Sequence, residues 1–244
     1  MNKYIQSIRI DWEKLERDSY LKDISSLKTI ECIHFNKNIT FFAGENGTGK
    51  STLLEAIGVA YGFNPEGGTL NYRFSTYDDV SELSNALTLS KGAKRSKYNY
   101  FFRAESFFNV ATKAEDYRDN TPKEIFYQQY GGKSLHEQSH GESFIHFFQS
   151  FSKEGLYLMD EPEAALSPQR QLTLLMQIVN LAKQGAQFII ATHSPILLGI
   201  PDSEIMLFDN AGISLCDYED TESYQVTELF INHRHEFLNR LLGE

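Results

Sequence analysis

The stretch that decides the fold is Gly44-Glu45-Asn46-Gly47-Thr48-Gly49-Lys50-Ser51-Thr52. It fits the pattern G-x-x-x-x-G-K-[ST], and two segments of different character flank it. Residues 39–43 before it form a short, apolar, β-prone run, which is typical of a buried strand. Residues 51–61 after it carry apolar side chains at helical spacing. A strand, a glycine-rich loop and a helix in this order predict a loop that binds phosphate groups.

Each residue type in this loop has a chemical use. Glycines let successive backbone N–H groups turn toward phosphate oxygens, and the helix that follows adds the positive end of its dipole. Lys50 is predicted to reach the β- and γ-phosphates of a nucleotide, and the Ser51 hydroxyl to bind Mg²⁺. A glycine-rich turn without a ligand is the alternative, and the agreement of strand, loop and helix disfavours it. The predicted nucleotide-binding residues of the loop are Gly44, Asn46, Gly47, Thr48, Gly49, Lys50, Ser51 and Thr52.

Two acidic residues, Asp160 and Glu161, end the apolar run 156–159. One carboxylate at the end of a strand can hold Mg²⁺, directly or through water, and the next can orient or deprotonate an attacking water. Two acids after a strand are commonplace on their own. The phosphate-binding loop on the same chain is what favours a functional interpretation of this pair.

The segment Ser139-His140-Gly141-Glu142-Ser143 is a second candidate phosphate-binding element. It precedes a predicted helix, and a glycine-containing turn at a helix N-terminus presents free N–H groups to an anion. A plain helix cap, with Ser139 or Ser143 as the N-cap residue, is the alternative that the local pattern favours. The helix behind it has one apolar face, which we expect to pack in the core, formed by Phe144, Phe147, Phe148 and Phe151.

Strand-like and helix-like segments alternate along the chain. This alternation predicts an α/β fold with a mainly parallel sheet flanked by helices. Closely spaced isoleucines near the N-terminus predict an early strand and an N-terminal antiparallel β portion, whereas residues 64–100 read as irregular and polar. No repeat or linker divides the chain, so we expect a single domain over residues 1–244. The predicted parallel strands lie at 39–43, 100–102, 156–159 and 187–192.

Composition narrows the class of protein. The chain has 244 residues and a net charge of −10, which disfavours general coating of nucleic acid. Cys32 and Cys216 lie in no metal-ligand spacing, as expected of reduced thiols in a cytoplasmic protein. No segment approaches the ~18 apolar residues of a membrane span, and the N-terminal residues do not form a signal peptide. A cytoplasmic protein without membrane insertion is the expectation.

Together these motifs resemble those of ATP-binding-cassette (ABC) ATPases, which are P-loop NTPases. The order and the spacing of the motifs also agree with that superfamily. More narrowly, Phe102-Arg103-Ala104-Glu105-Ser106-Phe107-Phe108 and residues 160–168 resemble small stand-alone bacterial AAA family ATPases, related to SMC and RecF-like repair ATPase heads. The matching segments are Walker A at 44–52, a signature-like loop at 139–143, Walker B at 156–161, a D-loop-like stretch at 164–167 and the switch histidine, His193.

The resemblance implies ATP and Mg²⁺ as cofactors and assigns roles to single residues. Glu161 would be the catalytic base, Ser51 and Asp160 would hold the metal, and Lys50 would act on the phosphates. His193 would touch the γ-phosphate, although a structural histidine at a strand end is the alternative.

The resemblance also implies an ATP-dependent homodimer with a composite site. Two subunits would face head to tail, and Ser139 and Gly141 of one would contact the γ-phosphate held by Lys50 of the other.

Three positions depart from the cassette pattern. No glutamine follows the strand at 100–102, and Arg103 or Glu105 stands at about that place. Tyr20 is a candidate for stacking on adenine, with a plain surface tyrosine as the alternative. His140 replaces the first glycine of the usual signature sequence.

Two classes of function compete. The first is a soluble ATPase switch, with a repair or defence-like role, that acts on DNA or on a partner protein. The second is the nucleotide-binding subunit of an ABC membrane transporter, which the helix after the signature-like loop disfavours because it lacks the usual Arg/Ala-rich sequence. A protein that binds ATP and hydrolyses it negligibly is a third reading. A basic run is a candidate DNA contact, with a solvated loop as the alternative, at Lys91, Lys94, Arg95 and Lys97.

Overall fold

A computed structural model describes residues 3–70, 82–95, 98–116, 122–128, 130–151 and 154–243. These residues contain ten strands and nine α-helices. The strands are β1 (Ile5–Ile10), β2 (Cys32–His34), β3 (Ile39–Gly44), β4 (Gly68–Thr69), β5 (Leu87–Lys91), β6 (Tyr100–Arg103), β7 (Leu156–Asp160), β8 (Gln187–Ala191), β9 (Glu204–Asp209) and β10 (Gly212–Cys216). The helices are α1 (Lys50–Tyr61), α2 (Leu83–Ala86), α3 (Phe107–Asp116), α4 (Lys123–Gln128), α5 (His140–Gln149), α6 (Pro168–Lys183), α7 (Pro195–Leu198), α8 (Glu222–Asn232) and α9 (Arg234–Leu242).

The larger sheet has seven strands in the order β10-β9-β3-β8-β7-β6-β4. Its five inner strands are parallel, and β10 and β4 pair antiparallel at the two edges. Alternate residues of each inner strand enter one of two buried clusters, one containing α1 side chains and the other α5 and α6 side chains. Helices therefore cover both faces, which is why β7 and β8 are buried throughout and apolar over most of their length. The predicted mainly parallel sheet is confirmed.

A second sheet of three strands, in the order β2-β1-β5, is antiparallel. It confirms the predicted N-terminal antiparallel portion, but one of its strands was not predicted. β5 and the short helix α2 lie within residues 64–100, which the sequence pattern indicated to be irregular. The five residues of β5 are largely exposed, and only Leu87 is buried. Leu87 and Leu89 both contact the core cluster, so a short alternating pattern and pairing with β1 together make this segment a strand.

Helix α5 carries the predicted phenylalanine face into the core. Phe144, Phe147 and Phe148 are buried, and Phe151 packs against the same cluster. The Phe102 and Phe148 rings have centroids 4.7 Å apart, so the helix is fixed directly on β6. α5 begins at His140, earlier than the apolar spacing indicated, so most of the signature-like segment is helical rather than a loop.

The chain after residue 200, where no element is predicted from the sequence, adds β9, β10, α8 and α9. β9 pairs in parallel with β3 and places Phe208 opposite Gly44. No residue within α8 or α9 is fully buried. Among the helices of the described residues, none is long and apolar enough to cross a membrane.

Candidate nucleotide-binding site

The glycine-rich loop lies at the carboxyl end of β3 and leads into α1. Gly44 has a φ of +136°, and a Cβ at this position would overlap the carbonyl oxygen of Phe208 on the neighbouring strand. Gly49, immediately before α1, has a φ of +90°, and a Cβ there would press on the side chains of Ile24 and Leu27. Both positions require glycine because any side chain would be strained and crowded. The loop therefore lies at the sheet edge where α/β folds bind ligands.

Lys50 is buried at the start of α1 and is held by the loop itself. Its Nζ donates hydrogen bonds to the carbonyl oxygens of Gly44, at 2.8 Å, and Glu45, at 2.6 Å. Burial lowers the pKa of Lys50, an effect that the negative charges of Glu161, Asp160 and Glu163 oppose. An ammonium group has three N–H donors, so the two bonds to the loop leave one for an incoming phosphate oxygen.

Ser51 and Asp160 form the pair expected at a magnesium site. The Ser51 hydroxyl donates a 2.8 Å hydrogen bond to Asp160 Oδ1, and Arg103 Nε lies 3.7 Å from Asp160 Oδ2. Burial raises the pKa of Asp160 to about 6, although the Ser51 hydrogen bond and the Arg103 charge both act to lower it. A hydroxyl and one carboxylate fit Mg²⁺, because this ion usually binds one or two protein oxygens together with phosphate oxygens and water. Among the described residues, no group of three or more His, Cys, Asp or Glu could hold a metal by itself.

Burial of the Asp160 carboxylate predicts a pH-dependent loss of stability. The unfolded carboxyl loses its proton near pH 3.8 and the folded one at about 6, so the free energy of unfolding falls as the pH rises between these values. Two pKa units correspond to about 3 kcal/mol. We expect the wild-type chain to lose about 3 kcal/mol relative to Asp160→Asn between about pH 4 and pH 7, measured by urea unfolding. A stability difference that does not change with pH would contradict this expectation.

Glu161 directly follows β7 in an unusual backbone conformation. Its φ is +49°, in the left-handed region, and its side chain is exposed. The conformation is fixed because the Glu161 N–H donates to the carbonyl oxygen of Ala191, at 2.9 Å, and the Glu161 carbonyl accepts from the Ala164 N–H. A non-glycine residue here costs about 1–2 kcal/mol, and such strain is concentrated at functional sites. The exposed carboxylate is placed next to Asp160 at the edge of the phosphate-binding loop.

His193 follows β8, and its main chain is held on both sides. Its N–H donates to Glu163 Oε1 at 2.7 Å, and the Ser223 hydroxyl donates to its carbonyl oxygen at 2.9 Å. Its ring Nε2 is buried and has no hydrogen-bond partner within the described residues. Burial, followed by the positive charge of Lys50, lowers the pKa of His193, so the ring is neutral at pH 7. A buried ring nitrogen without a partner fits a contact with a phosphate oxygen.

A cavity of about 380 Å³ opens between the loop and the switch histidine. Residues 221–223, at the start of α8, line one side of this cavity, and the sequence pattern did not indicate them. Sequence reasoning also missed Glu163, which accepts hydrogen bonds from the His193 N–H and, at 2.6 Å, from the Thr192 hydroxyl. The position of Glu163, two residues after Glu161, was the only sequence signal for it. The cavity is lined by Ala43, Gly44, Glu45, Asn46, His193, Leu207, Thr221, Glu222 and Ser223.

The signature-like segment lies apart from these residues. Both the hydroxyl and the N–H of Ser139 donate to the Glu142 carboxylate, at 2.6 Å and 3.1 Å, and Ser139 is the N-cap residue of α5 in a capping box with Glu142. Gly141 lies in the first turn, where a Cβ would overlap the Arg170 guanidinium and crowd the Ala165 carbonyl. Among the described residues, no hydrogen bond joins this segment to the loop 44–52. The helix cap is therefore present, and phosphate binding by Ser139 and Gly141 stays a prediction.

The structure also places the residues that depart from the cassette pattern. Of the two candidates at the missing glutamine, Arg103 is the one that reaches Asp160, and it also pairs with Glu55 at 2.6 Å and with Glu105. Tyr20 is 61% exposed in a 3-10 turn, which leaves its interpretation open. The side chain of His140 lies outside the described residues.

Part of the positive charge of the basic run at residues 91–97 is engaged in contacts within the protein. Lys94 pairs with Glu154 at 2.5 Å, and the Lys91 ammonium lies 4.5 Å from the centre of the Tyr61 ring. Lys97 lies outside the described residues. These contacts reduce the positive potential that the run offers to DNA.

The chain has the P-loop NTPase fold of ABC-type ATPases. An AAA domain family model matches residues 20–188, and the chain belongs to that family.

Relatives of known name are remote. The chain is 23% identical over 229 residues to the L-arabinose transport ATP-binding protein AraG of Geobacillus stearothermophilus, covering 85% of this chain and 44% of that protein. It thus spans less than half the length of this curated relative.

Solved structures share the fold. CbiO1 of Clostridium perfringens, part of the ABC transporter complex CbiONQ, aligns with a TM-score of 0.53 and 16% identity, covering 99% of this chain and 100% of that one. A nucleotide-free ATP-binding cassette from an ABC transporter aligns with a TM-score of 0.51 and 16% identity, covering 93% and 95%. At these identities the likeness shows the fold alone.

Proposed function

We propose that residues 1–244 form one cassette domain that binds ATP with Mg²⁺, hydrolyses it, and switches a homodimer between open and closed states. One observation carries the proposal: a buried lysine, a hydroxyl–carboxylate pair and a histidine nitrogen that has no hydrogen-bond partner among the described residues are brought to one end of the sheet. The switch would act on DNA or on a partner protein. Both cysteines are free, which fits the reducing cytoplasm that we propose as its location.

In the proposed mechanism, Lys50 donates its remaining N–H to the β- and γ-phosphates. Ser51 and Asp160 hold Mg²⁺, which neutralises phosphate charge when it is bound. Glu161 orients a water molecule and takes its proton as the water attacks the γ-phosphorus. The bond from the γ-phosphorus to the β,γ-bridging oxygen breaks, so that ADP and phosphate are released. The neutral His193 donates a hydrogen bond to a γ-phosphate oxygen.

A second copy of the chain would complete the site. Ser139 and Gly141 would contact the γ-phosphate bound to the other subunit, and the Ser139 hydroxyl would have to turn away from Glu142 to donate to it. This requirement couples closure of the dimer to a local change at the start of α5.

The nucleotide-binding subunit of a membrane transporter is the alternative function. It is supported by AraG and CbiO1, since both are named as transport components. Against it stands Arg103, which pairs with Asp160 near the position where a glutamine is expected. A membrane partner would be required for high turnover under this alternative.

Steady-state ATP hydrolysis over a range of protein concentrations tests the proposal. We expect turnover per chain to rise steeply with concentration, because two chains form each site. DNA, single- or double-stranded, is expected to raise it further if DNA is the effector. Turnover indifferent to DNA would direct the search to a protein partner, by pull-down with the Glu161→Gln variant bound to ATP. A low turnover independent of concentration would contradict the dimeric switch.

Ser139→Arg is expected to block closure of the dimer while each chain still binds ATP. The added side chain is bulky and positively charged at the contact between subunits. The substitution also removes the helix cap, at a cost of about 1 kcal/mol. Ser139→Ala loses the cap and the hydroxyl without adding bulk or charge, so it shows how much of the effect comes from those losses alone. Light scattering with ATP should show monomers for Ser139→Arg. A dimer of normal affinity would rule out the composite site.

A further inference from the structure

Two side chains at and just before the start of α8 donate hydrogen bonds to residues 193–195, the segment that contains His193. The Ser223 hydroxyl donates to the His193 carbonyl oxygen at 2.9 Å, and the Tyr218 hydroxyl donates to the Pro195 carbonyl oxygen at 2.8 Å. Between them, Thr221 is 1% exposed and caps α8 by accepting from the Tyr224 N–H. The start of α8 is therefore fixed on the segment that carries the histidine.

Both peptide groups of His193 are held by hydrogen bonds. Glu163, which follows the Walker B strand, accepts from its N–H, and Ser223 donates to its carbonyl. With both peptide groups fixed, the direction of the ring depends on its side-chain torsions alone. Loss of either hydrogen bond would therefore shift the ring and its buried Nε2 relative to the cavity that His193 lines.

Beyond the first turn of α8, the C-terminal helices α8 and α9 contribute no fully buried side chain to the core. One side of the cavity, in contrast, is lined by Thr221, Glu222 and Ser223 at the start of α8. Within the described residues, the hydrogen bond from the Ser223 hydroxyl joins α8 directly to His193.

We propose that Ser223, at the start of α8, is a positioning residue for His193 and sets the direction of its ring. The inference rests on the proposed function, because the direction of His193 has a consequence only when a γ-phosphate is bound. Ser223 also lines the cavity, and the role proposed for it acts through the main chain of His193 rather than through contact with the nucleotide.

Ser223→Ala tests this role. Loss of one hydrogen bond is expected to lower kcat about two- to tenfold, with the KM for ATP changed less than about twofold. The preference for ATP over ADP, measured by titration of fluorescent nucleotide, is expected to fall by a similar factor, because His193 contacts only the γ-phosphate. Ser223→Thr keeps the hydroxyl and should restore both values. Ser214→Ala, at an exposed position of β10, is the matched control.

A double-mutant cycle separates positioning from a merely structural role. In the His193→Ala background, adding Ser223→Ala should change the ATP-to-ADP preference no further, since its effect passes through His193. An additive effect, an unchanged Ser223→Ala chain, or failure of Ser223→Thr to restore activity would each overturn the inference. A wild-type chain that binds no ATP would instead overturn the proposed function, and this inference with it.

Discussion

Glu161→Gln is expected to lower ATP turnover about 100- to 10,000-fold, the range that a general base contributes. ATP affinity should stay within about threefold, because Lys50, Ser51 and Asp160 hold the nucleotide and its metal in the proposed site. Glutamine keeps the size of the side chain but cannot accept a proton from water. With hydrolysis stopped, ATP should hold the dimer closed, so light scattering should report a dimer at concentrations where the wild-type chain is monomeric.

The control for this experiment is Glu13→Gln, which removes an exposed carboxylate far along the chain from the site. Its turnover should equal that of the wild-type chain. Thermal unfolding should show that Glu161→Gln is folded, and the neutral side chain is expected to relieve repulsion from Asp160. If Glu161→Gln turned over ATP at the wild-type rate, Glu161 would not be the base.

The parts of the site that could be predicted are those encoded locally. Residues 44–52 contain their own glycines, lysine and hydroxyls, and the strand and helix on either side follow from periodicity. Asp160 is likewise marked by the apolar strand that it ends. Residues of these kinds are recognisable because their chemistry and their backbone geometry are specified within about ten neighbours.

The parts that could not be predicted depend on long-range contacts. Glu163 and Ser223 acquire their roles from bonds to His193 across 30 residues of chain, and no local pattern specifies such pairs. β5 is a strand partly because β1 pairs with it. At Ser139 prediction fails for a different reason. The same residues suit a helix cap and a phosphate contact, so the local pattern does not choose between the two roles.

Lys50→Ala is expected to weaken ATP binding about 100- to 1000-fold. Hydrogen bonds from a charged group contribute about 1.5–3 kcal/mol each, and Lys50 is the cation proposed for both the β- and γ-phosphates. The substitution also removes the two bonds from Nζ to the carbonyl oxygens of Gly44 and Glu45, which hold the loop in shape. The neighbouring acids, Asp160 and Glu161, then repel the phosphates without compensation.

Titration with a fluorescent ATP analogue measures the loss, and two variants locate its cause. Lys50→Met keeps most of the side-chain volume, so a similar loss in Lys50→Met assigns the effect to the charge rather than to a cavity. Lys37→Ala removes an exposed lysine that pairs with Asp202 at 2.6 Å, outside the cavity, and should bind ATP normally. Because Lys50 is the only cation that the loop 44–52 contains, ATP binding of normal strength by Lys50→Ala would mean that the nucleotide does not occupy this loop.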